Sequence, residues 1–192
     1  MNAKPSTSKR ERQVRKQFEK HGGGDTFVQG EAGRWPTFLA TYGWSVSYGL
    51  PEFIVFGSVP QAPAWGEWLD HIATSTEPGS EVADAQVWPM TVSGRPVISR
   101  MVHPSNFTDD WFEDALLCRY IVGEPPLTYA HQLFWPDRFG KYPWTWGASD
   151  TTRWIQPPLY RPNQRKSDFV RAEVSLRQHA EFLSASRPYD DR

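Results

Sequence analysis

A single cysteine, Cys118, excludes an internal disulfide and fits a reducing compartment. No run reaches the ~18 apolar residues of a membrane-spanning helix, and the first residues lack the apolar core of a signal peptide. These absences lead us to expect a cytoplasmic protein with no membrane partner. The formal charge is only −1, so the chain as a whole gives no electrostatic reason to expect nucleic acid. His71, His103, His131 and His179 fall in no metal-ligand spacing, and one cysteine cannot build a zinc site, so no metal is expected. No Gly-x-Ser-x-Gly, phosphate loop or dinucleotide fingerprint occurs. The standard hydrolase and nucleotide-fold mechanisms therefore lack their parts, and no cofactor is expected.

Aromatic residues make up 15 %, and 17 prolines with 14 glycines call for many turns and few long helices. The charge is unevenly spread. Residues 1–20 hold seven basic residues and two Glu, hence +5, which leaves −6 for residues 21–192. Residues 1–34 read as a basic, Gly-rich N-terminal tail, mostly solvated, and nucleic acid could be met only there. Within it, Ser8 and Glu11 have capping-box spacing, and Val14 and Phe18 share one face of a short helix that Gly22 would stop.

Residues 35–162 read as one α+β domain: a mixed sheet of about five or six strands flanked by two or three helices. Residues 37–48 alternate cleanly, as a half-buried strand bent at Gly43. Residues 52–56 read as a second, more central strand. Trp65, Trp68, Leu69 and Ile72 recur at helical spacing within 61–74, with both tryptophans in the core. Residues 86–92 and 95–102 suggest a hairpin around Ser93-Gly94, at a sheet edge because of Pro89 and Pro96. Thr108 caps a helix running to Val122, with Phe107 and Phe112 as its staple and mid-helix Cys118 as a small buried hydrophobe. Residues 127–135 alternate again. Residues 163–192 carry a C-terminal helix, by the spacing of Phe169, Ala172, Leu176, His179 and Leu183.

Residues 129–158 hold four of the ten tryptophans in a long Trp/Pro-rich loop. A buried Trp covers about 150–250 Å², worth roughly 4–6 kcal/mol at about 25 cal/mol per Å². That is more apolar area than a loop needs, so this one is either a packed lid or the wall of a site. Trp135, Trp144, Trp146 and Trp154, rimmed by Arg138, Lys141 and Arg153, read as a recognition patch. Aromatic faces stack on planar groups and the basic residues meet phosphate, while Trp and Arg also populate protein-interface hot spots. Gln132 and Gln156 either tie this loop to the sheet or present amide edges to a ligand. Glu52 and Asp137 could form an acid/base pair with His131, or each could serve structure, Asp137 by bonding backbone N–H groups in a turn.

The segment Gln132-Leu133-Phe134-Trp135-Pro136-Asp137, with Gly140, Tyr142-Pro143-Trp144 and Gln156-Pro157-Pro158-Leu159, resembles the signature of the domain of unknown function 4262 family. Ser47-Tyr48-Gly49-Leu50-Pro51-Glu52-Phe53 resembles that family's upstream element, which lies between two strands. Here Val46 replaces the usual Tyr, Ser47 replaces Thr, and the loop before Pro51 is shorter. The resemblance spans about residues 37–160. It implies a bacterial, often actinobacterial, or phage origin and brings no activity with it.

The expected function is that of a non-enzymatic binding protein, a phage or bacterial accessory factor. Its loop would grip a host protein or a small planar anionic ligand such as a nucleotide. A hydrolase or transferase using Glu52, Asp137 and His131 is the alternative, and nucleic-acid binding through the tail ranks lower. A homo-oligomer is left open. Trp135 and Trp144 belong to shared architecture on this reading, and Trp146 and Trp154 to what is particular to this chain.

Overall fold

A computed structural model describes residues 8–31, 35–57 and 62–167; of the C-terminal helical segment expected at 163–192, residues 168–192 lie outside them. The elements run α1 (Lys9–His21), β1 (Gly24–Val28), β2 (Thr37–Tyr42), α2 (Trp44–Ser47), β3 (Glu52–Gly57), α3 (Ala62–Ser75), β4 (Val87–Val92), β5 (Arg95–Met101), α4 (Asp109–Val122), β6 (Ala130–Phe134) and α5 (Asp150–Ile155). The six strands form one mixed sheet in the order β1-β2-β3-β6-β5-β4. Only β3 and β6 pair in parallel, Glu52 opposite Ala130 and Phe53 opposite His131.

Both faces of this sheet are covered. On one, α1 and α4 enclose Phe38, Ile54, Phe56, Trp111, Phe112 and Cys118. On the other, α3 packs Trp65, Leu69 and Ile72 against Phe53, Val55 and Leu133. The α+β class is as expected, with five helices among the described residues rather than two or three. Two of these, α2 and α5, are only four and six residues long.

Two-sided coverage corrects the half-buried reading of 37–48. All six residues of β2 are buried, polar Thr37 and Thr41 included. The strand also stops at Tyr42. Gly43, at φ +82°, turns the chain into α2, where continued alternation was expected. A side chain there would collide with the Gly22–Gly23 backbone, since an added Cβ would sit 2.8 Å from Gly22 O and from Gly23 Cα. The hairpin forms as expected, but only β4 is an edge. Pro89 falls within the register shift of β4, and Pro96 precedes the stretch of β5 that pairs β6. Trp65 is fully buried, whereas Trp68 only partly packs on its cluster. The Thr108 carbonyl accepts from Trp111 N and Phe112 N while its hydroxyl caps nothing, and the staple of Phe107 on Phe112 closes that end at 5.9 Å between rings.

The described part of the segment expected as a solvated tail, residues 8–31, belongs to the folded unit. The Ser8 hydroxyl accepts from Glu11 N, Gly22 closes α1 in the left-handed conformation, and Val14 is buried. β1 then pairs antiparallel with β2. The deciding contact is far away in sequence: Arg10 Nε and Nη2 donate to the two oxygens of Asp114 at 2.7 and 2.5 Å, and Thr26 Oγ1 donates to the same carboxylate. Arg10 is thus committed to a protein carboxylate rather than offered to a phosphate.

No described helix is long and apolar enough to cross a membrane. Asp114→Ala should cost about 1–3 kcal/mol in urea unfolding, because Thr26 and the half-buried Arg10 lose their acceptor together. An unchanged midpoint would mean that α1 is held by apolar contacts alone.

Candidate functional site

β6 delivers the chain to the Trp-rich loop, and two glutamines anchor that loop to the sheet. Gln156, fully buried, accepts from Trp135 N through Oε1 (3.0 Å) and donates from Nε2 to Trp135 O (2.9 Å). Its carboxamide bonds both backbone groups of one residue, as a neighbouring strand would. Gln132, on β6, accepts from Leu159 N at 2.9 Å. Because Pro157 and Pro158 have no N–H, these bonds fix the Gln156–Leu159 corner from both ends. Of the two roles expected for the glutamines, the geometry supplies the tie to the sheet.

Trp135 is core. Its ring packs in the α3-side cluster, and its Nε1–H donates to Phe56 O at 2.8 Å. Asp137 makes the tight turn after it: Oδ1 accepts from Phe139 N (2.8 Å) and Lys141 N (2.9 Å). Desolvation pushes this carboxyl up, but the N–H groups of Lys141, Phe139 and Ser149 outweigh it and hold the group below the usual range. Lys141 Nζ reaches Gly147 O at 3.3 Å. Arg153 donates to Pro143 O (3.1 Å) and Thr145 O (3.4 Å) and pairs with Asp150. Arg138 lies over the ring of exposed Phe139. Lys141 and Arg153 therefore staple the loop's carbonyls as well as rimming it.

Trp144 stacks flat on Tyr142, with centroids 5.1 Å apart and planes 3° from parallel, and meets the edge of Phe134 at 5.0 Å. Tyr142 is held in turn by its hydroxyl on Pro96 O, at 2.6 Å. Tyr160 stands against Phe134 and Trp144 at 5.7 and 6.3 Å. The Arg100 guanidinium lies 4.6 Å from the Tyr160 centroid and 5.9 Å from that of Trp144. A cleft of about 330 Å³ is lined by Trp144, Tyr160, Pro143, Gln156 and Pro158, with Arg153 and Arg161 beside them. A shallower hollow of about 360 Å³ lies between Asp137, Arg138, Phe139 and Thr152. Trp146 is 91 % exposed and lines neither, while Trp154 is partly buried.

The three residues considered for acid/base work do not converge. Glu52 and His131 occupy successive rungs of the β3–β6 pair, so their side chains leave opposite faces of the sheet. Asp137 lies in the turn beyond β6, which ends at Phe134, whereas Glu52 pairs with Ala130 at the start of that strand. Glu52 is fully buried and accepts from Thr41 Oγ1 (2.7 Å), Ser45 N (3.0 Å) and Ser45 Oγ (2.9 Å). Burial raises its pKa against those bonds. Its work is to fasten the start of β3 to the bend after β2. His131 is enclosed by Phe53 and Tyr129, with neither ring nitrogen bonded among the described residues. Desolvation pushes its pKa down to about 4.

Sequence reasoning missed Tyr160, Arg161 and Arg100. The first two directly follow the Gln-Pro-Pro-Leu motif and could have been included by position. Arg100 carries no local signal, since only the β5–β6 register sets it beside Gln132. It also missed α5, which Ser149 caps by accepting from Thr152 N.

Gln156→Ala should destabilise the fold by about 2–4 kcal/mol in denaturant titrations, because both backbone groups of Trp135 stay buried without partners. His131 gives a pH test. Its folded pKa is depressed, so the unfolded chain binds the extra proton: stability is full above about pH 6.5 and falls as pH drops towards about 4. His131→Phe should remove on the order of 3 kcal/mol of that acid-side loss, relative to the parent chain at each pH. Parallel stability curves for the two chains would overturn the assignment.

Comparison with known proteins adds a family without a function. The family model described as "Domain of unknown function (DUF4262)" matches residues 17–149. The match begins inside α1 and stops before α5, so it starts and ends earlier than the expected 37–160. No curated protein matches, and no solved structure does.

Proposed function

The chain belongs to the DUF4262 family, and from its own residues we propose that it is a non-enzymatic binding protein for a small planar anion, such as a nucleotide. One observation carries this reading: the cleft beside Trp144 and Tyr160 has aromatic rings in its wall and Arg153 and Arg161 at its rim, while Arg100 is held by Asp84. An aromatic ring or base would lie against the open face of Trp144, and the Arg161 guanidinium at the rim would meet phosphate or carboxylate oxygens. Trp144 is still 39 % exposed although stacked on Tyr142, so one side of its ring faces the opening. A ready-made wall of this kind costs little ordering on binding.

Such a role suits a phage or bacterial accessory factor that captures a signal molecule without turning it over. A protein partner is the second reading, favoured by Trp146 at 91 % and Phe139 at 68 % exposure. Truncation separates the two. Nucleoside mono-, di- and triphosphates titrated against the purified chain should quench tryptophan fluorescence saturably. Trp144→Ala and Arg161→Ala should each weaken that binding at least about tenfold (about 1.4 kcal/mol), and Trp146→Ala should leave it alone. If no planar anion binds, or if only Trp146→Ala matters, the cleft is not the site.

A further inference from the structure

The segment after the Pro157-Pro158 corner crosses the helix-covered face of the sheet and ends in a second aromatic site. The Leu159 and Arg161 carbonyls both accept from Asn106 Nδ2 at 2.7 Å. Gln164 N donates to Asn106 Oδ1 (2.8 Å), and Gln164 O accepts from Trp111 Nε1 (2.8 Å). Lys166 N then donates to Asp110 Oδ2 at 3.2 Å. These bonds carry the Lys166 side chain to a position where three rings face it. Its Nζ lies 5.1 Å from the centroid of Phe38, 5.6 Å from Trp111 and 6.0 Å from Trp35.

Three aromatic faces around one ammonium make the geometry by which proteins recognise alkylated ammonium groups. Desolvation among the rings holds the Lys166 ammonium below its usual range, and Asp110 and Glu113 partly oppose that shift. Beside the ammonium remains a void of about 40 Å³, lined by Phe38, Trp111, Asp110 and Lys166 itself. The void reaches from Lys166 to the Arg10–Asp114 pair, and a primary ammonium is smaller than a methylated one. Trp35 closes it from a bend, with its indole Nε1 buried and unbonded among the described residues.

We propose that Trp35, Phe38 and Trp111 form a binding cage for a methylated ammonium group, which Lys166 occupies in this structure as an internal stand-in. The ligand would displace Lys166 and lift the segment that carries it. This site shares no ring with the Trp144–Tyr160 cleft, although Tyr160 and Arg161 precede Lys166 on the same segment.

The test uses choline and its uncharged isostere 3,3-dimethylbutan-1-ol, at constant ionic strength. Lys166→Ala empties the cage and keeps its three rings. The K166A chain should bind choline saturably by tryptophan fluorescence, at least tenfold tighter than the unaltered chain does and tenfold tighter than it binds the alcohol. No saturable binding, or equal binding of choline and alcohol, overturns the proposal. If K166A does not unfold cooperatively, the unaltered chain decides. Choline should speed cleavage after Lys166 by a lysine-specific protease severalfold, and the alcohol should not. Cleavage unchanged by choline also overturns the proposal.

Discussion

Because β3 and β6 run parallel at the centre of the sheet, neither can show a wet face. A parallel pair needs a crossover connection and cover on both sides, and the rest of the fold answers those needs. α3, β4, β5 and α4 all lie between β3 and β6 in sequence. In space, α3 covers one face while α1 and α4 cover the other. That demand also draws the N-terminal segment in. α1 extends the cover that α4 begins, fastened by one carboxylate that takes bonds from both Arg10 and Thr26.

Covering both faces buries polar side chains along with apolar ones, and each has to be used. Thr41, Glu52, Gln132 and Gln156 all lie in the interior, and their bonds run mainly to backbone or to one another. The polar residues that read most like chemistry in the sequence are thus the ones that join strand ends and loops. The aromatic cleft stands just outside this framework, on Trp144 and Tyr160. His131 and Ser99 are exceptions, since neither the ring nor the buried hydroxyl has a hydrogen-bond partner among the described residues. The neutrality of His131 is the cost of sitting between Phe53 and Tyr129.

How much of the fold and the cleft was legible depends on how local each signal is. Periodicity located β3, α3, the β4–β5 hairpin and α4, because apolar spacing and turn residues are written within a few positions of one another. It overran β2, because Trp44, Val46 and Tyr48 continue an alternation that the backbone abandons at Gly43. The α1 cap and its apolar pair were visible, but not the helix's place on the core, since Asp114 lies 104 residues from Arg10. Within the site, the motif located both glutamines and Trp144. It could not show that Tyr160 would face Trp144, or that β5 would bring Arg100 to them. Those neighbours come from register and from a proline corner, neither of which any short window contains.

The Gln156 amide has a consequence for how this molecule could change over time. Fastened at Trp135 and again at Leu159, and tied to β5 and β6 by Tyr142 and Trp144, the loop leaves the stretch around Trp146 outermost. Trp146, mostly in solvent, touches little that the border depends on. A frame of this kind tolerates new lengths and new residues in its panel while the sheet behind it stays the same. One scaffold could then serve descendants that grip quite different molecules, with nothing altered in the residues that make them kin.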